Sequence, residues 1–152
     1  MKNRAFSLIE LMIVVAIIAF LATISIPKYF SYYAKAKQTE VSVNLASLHT
    51  AQQAYWAEHG KYTTALFGPN SLGWKPQGNF NYTYGFNCPG AQEGVHYFVG
   101  KLKAPKDALG QADLTKDGFV AKAAGDILGK NKVDVWQIDQ DRKIEDTQDG
   151  VD

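Results

Sequence analysis

Cysteine is nearly absent from this chain: Cys88 stands alone among 152 residues. That excludes an intramolecular disulfide and any metal site built from several thiolates. Histidine is almost as scarce. His49, His59 and His96 fall in separate stretches without HExxH spacing, and the ten-residue offset from His49 to His59 does not put two ligands on one helix face. An excess of one charge is missing too: 16 Lys and Arg stand against 15 Asp and Glu, a net charge of +1. Charge therefore gives no ground for a nucleic-acid partner. "GPNSLG" lacks the lysine and spacing of a phosphate loop, and Ser7 has no base beside it. No catalytic set and no cofactor site emerge, so no enzyme is expected.

What the chain has instead is one long apolar run. From Phe6 to Ile26 a single charged residue, Glu10, interrupts 21 residues. As a helix this spans about 31 Å, close to the ~30 Å of a bilayer's hydrocarbon core. A secretory signal fits the basic start, Lys2 and Arg4, but its apolar stretch is normally ~7–15 residues, and "TISIPKY" offers no small-residue cleavage site. A plain membrane anchor fits length and hydropathy. It leaves Glu10 unexplained, since an unpaired acid inside a membrane helix costs on the order of 3 kcal/mol. Lys28, Lys35 and Lys37 on the far side also leave the orientation undecided.

"RAFSLIELMIVVAIIAFLATISIPKY" resembles the amino terminus of type IV pilins and of their type II secretion relatives, the pseudopilins. The resemblance implies a five-residue leader, 1–5, cut by prepilin peptidase between Ala5 and Phe6, with N-methylation of Phe6. The family usually has Gly where Ala5 stands. It also implies that Glu10, at the fifth mature position, pairs with the Phe6 amine of a neighbouring subunit in a helical filament, and that Pro27 lies deep in the assembly helix. Such a pair removes an unpaired charge from an apolar setting and so penalises wrong registers.

Pro27 is expected to kink or loosen the helix, with Thr23 and Ser25 satisfying the freed carbonyls. Beyond it, Ala34, Gln38, Val41, Leu45, Leu48, Gln52 and Tyr55 recur every three or four residues, a stripe suited to packing on a sheet. Gly60 suits the position just past a helix end near His59. Tyr29, Phe30, Tyr32 and Tyr33 read as an interfacial aromatic belt. Residues 60–79 have loop composition, which Trp56, Phe67 and Trp74 would pin. Four strands are expected in 80–152: "FNYTYGFN", "VHYFVGKL", "GFVAKAAGDI" and "VDVWQID", in meander order, with "GDILGKNK" as a hairpin turn. The fold class is thus α+β, one long helix on a four-stranded antiparallel sheet. The domains are 1–5 leader, 6–27 transmembrane and assembly helix, and 28–152 globular domain.

Seven acids and two bases crowd residues 134–152. Asp139-x-Asp141 begins an oxygen-ligand pattern, but Ile144 stands where an EF-hand requires Gly, so no metal ligand is assigned and a solvated acidic edge is expected. The resemblance implies a filament subunit serving adhesion, motility or DNA uptake, with a type II secretion pseudopilin as the alternative. Its partners would be copies of itself, prepilin peptidase, an inner-membrane assembly platform and lipid before assembly. The precursor would sit in the inner membrane and the filament on the cell surface.

Overall fold

A computed structural model describes residues 6–151. The chain divides after Tyr33 into two compact units. One helix, α1, runs Leu8–His59. It is followed by β1 (Thr83–Gly85), β2 (Tyr97–Phe98), a 3-10 turn (Lys106–Leu109), β3 (Asp113–Leu114), β4 (Phe119–Gly125), β5 (Asp134–Asp139) and β6 (Ile144–Gln148).

In the first unit, α1 carries its large apolar side chains into the open. From Phe6 at 83% to Val14 and Ile24 at 50%, none of those at 6–26 is buried. By length and composition this helix can cross a membrane. Pro27 lies inside α1 and does not end it. The expected rescue by Thr23 is not what forms: the carbonyl that Pro27 frees is that of Thr23 itself, whereas the Thr23 hydroxyl donates 2.9 Å to the Ala19 carbonyl, a different group.

In the second unit the predicted stripe is the buried face. Ala34, Val41, Leu45, Leu48, Gln52 and Tyr55 are buried, while Gln38 is half-buried and Asn44 joins the buried set. α1 ends as expected: the Gly60 N–H donates 2.8 Å to the Trp56 carbonyl, and Gly60 has φ 66°, the left-handed region where a missing Cβ costs nothing. Of the aromatics expected to pin the loop, Trp74 does so, donating its indole N–H 2.8 Å to Ser47 Oγ. Trp56 and Phe67 remain half-exposed at the surface.

The sheet is antiparallel but larger than expected and not a meander. Its order is β2-β1-β4-β5-β6, with β3 pairing the outer part of β4. β2 folds back on one edge of β1, so β4 takes the other edge. β1 is short because its sequence is closed in at both ends. At Gly85 φ is 134°, and a Cβ there would stand 2.3 Å from the His96 carbonyl oxygen. At the other end, Asn81 is tied to Glu40 instead of to a neighbouring strand. Two strands escaped the sequence reading. β3 has only two residues, and β6, "IEDTQ", lies within the acidic tail without apolar alternation. Polar residues suit an edge strand, where charge discourages further pairing.

Both sheet faces are covered. Tyr82, Tyr84, Phe86, Phe119, Ala121, Ala123 and Ile138 pack with the helix stripe in the main core. Ala104, Leu109, Ala124 and Val135 form a smaller cluster on the second face. The small alanines of β4 leave room for the tyrosines beside them. Gly125 is part of this close fit, since a Cβ there would meet the Tyr82 ring at 2.9 Å.

Candidate functional site

Ser7 and Glu10 form a closed local pair where α1 begins. The Ser7 backbone N–H donates 2.9 Å to Glu10 Oε2, and the Ser7 hydroxyl donates 3.1 Å to the same oxygen. In return the Glu10 N–H donates 3.3 Å to Ser7 Oγ. This is a capping box: a serine before the first turn and a glutamate three residues on satisfy each other's backbone donors. The carboxylate also lies at the helix end that favours negative charge. Glu10 is therefore partnered within its own chain, although the apolar run suggested a bare acid. "SLIE" carried that signal, a Ser-x-x-Glu ahead of an apolar stretch.

Phe6 precedes the helix and is exposed. Leu8, Ile9, Leu11, Met12 and Ile13 follow it into the open. Pro27 lies farther along the same exposed segment. Ala5 and the leader 1–5 lie outside the described residues. Tyr29, Phe30, Tyr32 and Tyr33 are exposed, with Tyr29 and Phe30 meeting edge-on at 6.0 Å.

The chemistry-bearing residues of the second unit serve its fold. Glu40 accepts the Asn81 N–H at 2.8 Å and the Tyr84 hydroxyl at 3.0 Å, and also takes the Asn81 side-chain amide. Asn81 in turn accepts Lys37 Nζ at 2.5 Å. Buried Asn44 donates to the Tyr84 hydroxyl and accepts the Gln77 N–H. Burial, together with the nearby Glu40 carboxylate, raises the Tyr84 phenol far above its ordinary range. Asp134, fully buried, accepts the Tyr82 hydroxyl, the Trp136 indole N–H at 2.8 Å and the Gly150 N–H at 3.3 Å. Burial and this aspartate raise Tyr82 likewise. Neither Glu40 nor Asp134 was singled out from sequence, because only the fold reveals which acids meet the donors of the core.

The carboxylate oxygens of Asp134, Asp146 and Asp149 approach within 4.8 Å of one another. Those of Asp134 already hold donors from the core and the tail. Asp139 is equally engaged, its Oδ1 accepting the N–H groups of Asp141 and Lys143 to close the β5–β6 turn. His49 is half-buried, and its Nε2 lies 2.9 Å from the Gln140 carbonyl oxygen. Gln53 donates 3.2 Å to that same oxygen, so the turn is held to the helix twice. Cys88 is half-buried, its thiol 3.8 Å from Thr64 Oγ1.

Residues 1–26 match the family model described as the prokaryotic N-terminal methylation motif. The chain is 43% identical over 118 residues to the type IV major pilin protein PilA of Myxococcus xanthus, covering 78% of this chain and 51% of that protein. It is 41% identical over 71 residues to the prepilin peptidase-dependent protein D of Escherichia coli, covering 47% and 49%. Against the type IV major pilin protein PilE1 of Neisseria gonorrhoeae it is 39% identical over 60 residues, covering 40% and 36%. The chain thus spans about half, or less, of the length of these relatives. The first match runs beyond the methylation motif into the globular domain, where the helix-on-sheet architecture agrees with it. Motif, relatives and architecture point one way: over the stretches they match, the chain is similar to the type IV pilins.

Proposed function

We propose that this protein is a structural subunit of a type IV pilus, processed between Ala5 and Phe6, methylated on Phe6 and polymerised through residues 6–27. The observation that carries this reading is the exposed apolar helix that opens on an acid. Nothing in the first unit buries those side chains. Lipid serves before assembly and copies of the same helix afterwards, because both offer the apolar surroundings that water does not. In the filament, Glu10 accepts the new Phe6 amine of a neighbouring subunit. Residues 28–152 form the displayed globular domain, and the work of the protein is assembly and display, not catalysis. Prepilin peptidase and an inner-membrane assembly platform are its partners on the route from inner-membrane precursor to surface fibre. Adhesion, motility or DNA uptake is the use of that fibre. The pilin and fimbrial names of the relatives favour this reading over a type II secretion pseudopilin.

Two measurements test it. The mature chain should begin at Phe6 and carry one methyl group; a mass that begins at Met1, or beyond Pro27, contradicts the processing. Glu10→Ala should leave membrane insertion intact and abolish filaments. Fibres formed normally by that variant would end the proposal.

A further inference from the structure

Resting on the assembly role proposed for Glu10, we infer that Ser7 is its positioning residue, holding one carboxylate oxygen so that the other is aimed and free for the neighbour's amine. Both Ser7 donors converge on Oε2: the backbone N–H at 2.9 Å and the hydroxyl at 3.1 Å. Among the described residues no hydrogen bond reaches Oε1. A glutamate side chain on a helix normally samples several rotamers. Here two bonds from Ser7, with the reciprocal Glu10 N–H to Ser7 Oγ at 3.3 Å, fold it back over the helix start.

The arrangement answers two opposing needs. Before assembly, an acid among apolar side chains needs partners to be tolerated in lipid, and Ser7 supplies them without a second subunit. During assembly, the acid must still accept an ammonium group. A carboxylate holds about four lone-pair sites, so an incoming amine at Oε1 leaves the Ser7 bonds unbroken. Docking then loses little side-chain freedom and needs no local rearrangement, as for any preorganised acceptor. The hydroxyl is the part of Ser7 on which this depends, because the residue's N–H survives any substitution except proline.

The experiment uses the full-length chain in cells that assemble the filament, with Ser7→Ala, Ser7→Val and Ser7→Thr beside Glu10→Ala. Three quantities are read for each: mature-chain mass, membrane-inserted protein and sheared-fibre yield. Ser7→Ala and Ser7→Val should mature and insert as the unsubstituted chain does, while fibre yield falls about tenfold, the scale of one lost hydrogen bond to a charged group. Ser7→Thr, which keeps the hydroxyl, should restore most of the yield. Full fibre yield from Ser7→Ala and Ser7→Val, with none from Glu10→Ala, overturns the positioning role and leaves the role of Glu10 standing. Failure of Ser7→Thr to rescue, or a mass showing an uncut leader in Ser7→Ala, also overturns it, since the defect would then lie in shape or processing. Normal fibres from Glu10→Ala remove the assembly reading itself.

Discussion

Leu11 and Leu45 belong to the same helix, yet one is 62% exposed and the other fully buried. The amino-terminal stretch is apolar on every side, so no rotation of the helix hides it from water. From Ala34 to Tyr55 the large apolar residues, Val43 excepted, keep to one stripe, and that stripe packs in the main core with sheet residues. Apolar content alone therefore does not decide burial. Its angular distribution does, and it separates a segment left open on every side from one made for its own core.

The sharpest way to break this comparison is to truncate a leucine in each half. Leu45→Ala should destabilise the globular domain by about 3 kcal/mol, through lost burial and an unfilled cavity. Leu11→Ala should leave the domain's urea midpoint unchanged. Equal effects would show that the two stretches share one core. Next in size is Asp134→Ala, expected to cost about 2 kcal/mol in the same measurement because it strands the buried Tyr82 hydroxyl and Trp136 indole. An unchanged midpoint would mean that water replaces the carboxylate.

A pH series extends the comparison to the tyrosines. Exposed tyrosines such as Tyr32 lie outside the core, whereas Tyr82 and Tyr84 are buried with phenols raised above their ordinary range. A raised folded-state value stabilises the protein fully below the unfolded value, near pH 10, and that contribution drains away as pH climbs above it. Stability should fall by up to about 1.4 kcal/mol per pH unit for each phenol. Tyr82→Phe should flatten the slope, and an unchanged slope would show that the buried phenol does not carry the effect. The smallest effect is expected at Asp146, raised by partial burial and by the Asp134 and Asp149 carboxylates. Its charged form is a cost near neutrality that is relieved as pH falls through the folded value. Asp146→Asn should raise stability at neutral pH, by less than about 1 kcal/mol after solvent screening. Loss of stability on that substitution would show that the acid is a partner and not a burden.

The helix, its end at Gly60, its core stripe and the β4–β5 hairpin were legible because each rests on local rules: periodicity, a cap and a turn. Glu10's intrachain partner was legible too, as Ser-x-x-Glu, but the apolar run drew attention to lipid first. The strand order and β6 were not, because the polar "IEDTQ" follows no apolar alternation and is paired by backbone groups to β5. Asp134 could not be told from its acidic neighbours by spacing, since its buried state depends on Tyr82 and Trp136 arriving from elsewhere in the sheet.

By itself the sequence determined that one stretch must find apolar surroundings outside its own domain, and that this stretch carries one acid, Glu10, near its start. Both follow from composition along the chain, which it carries before it folds; the processing junction at Ala5–Phe6 is what the resemblance to pilins implies. Only the tertiary structure decided which carboxylates hold the core, which strands flank β4 and how the tail is fastened without a disulfide. Those outcomes depend on contacts between residues far apart in sequence, and desolvation acts on an acid only once distant segments have closed over it.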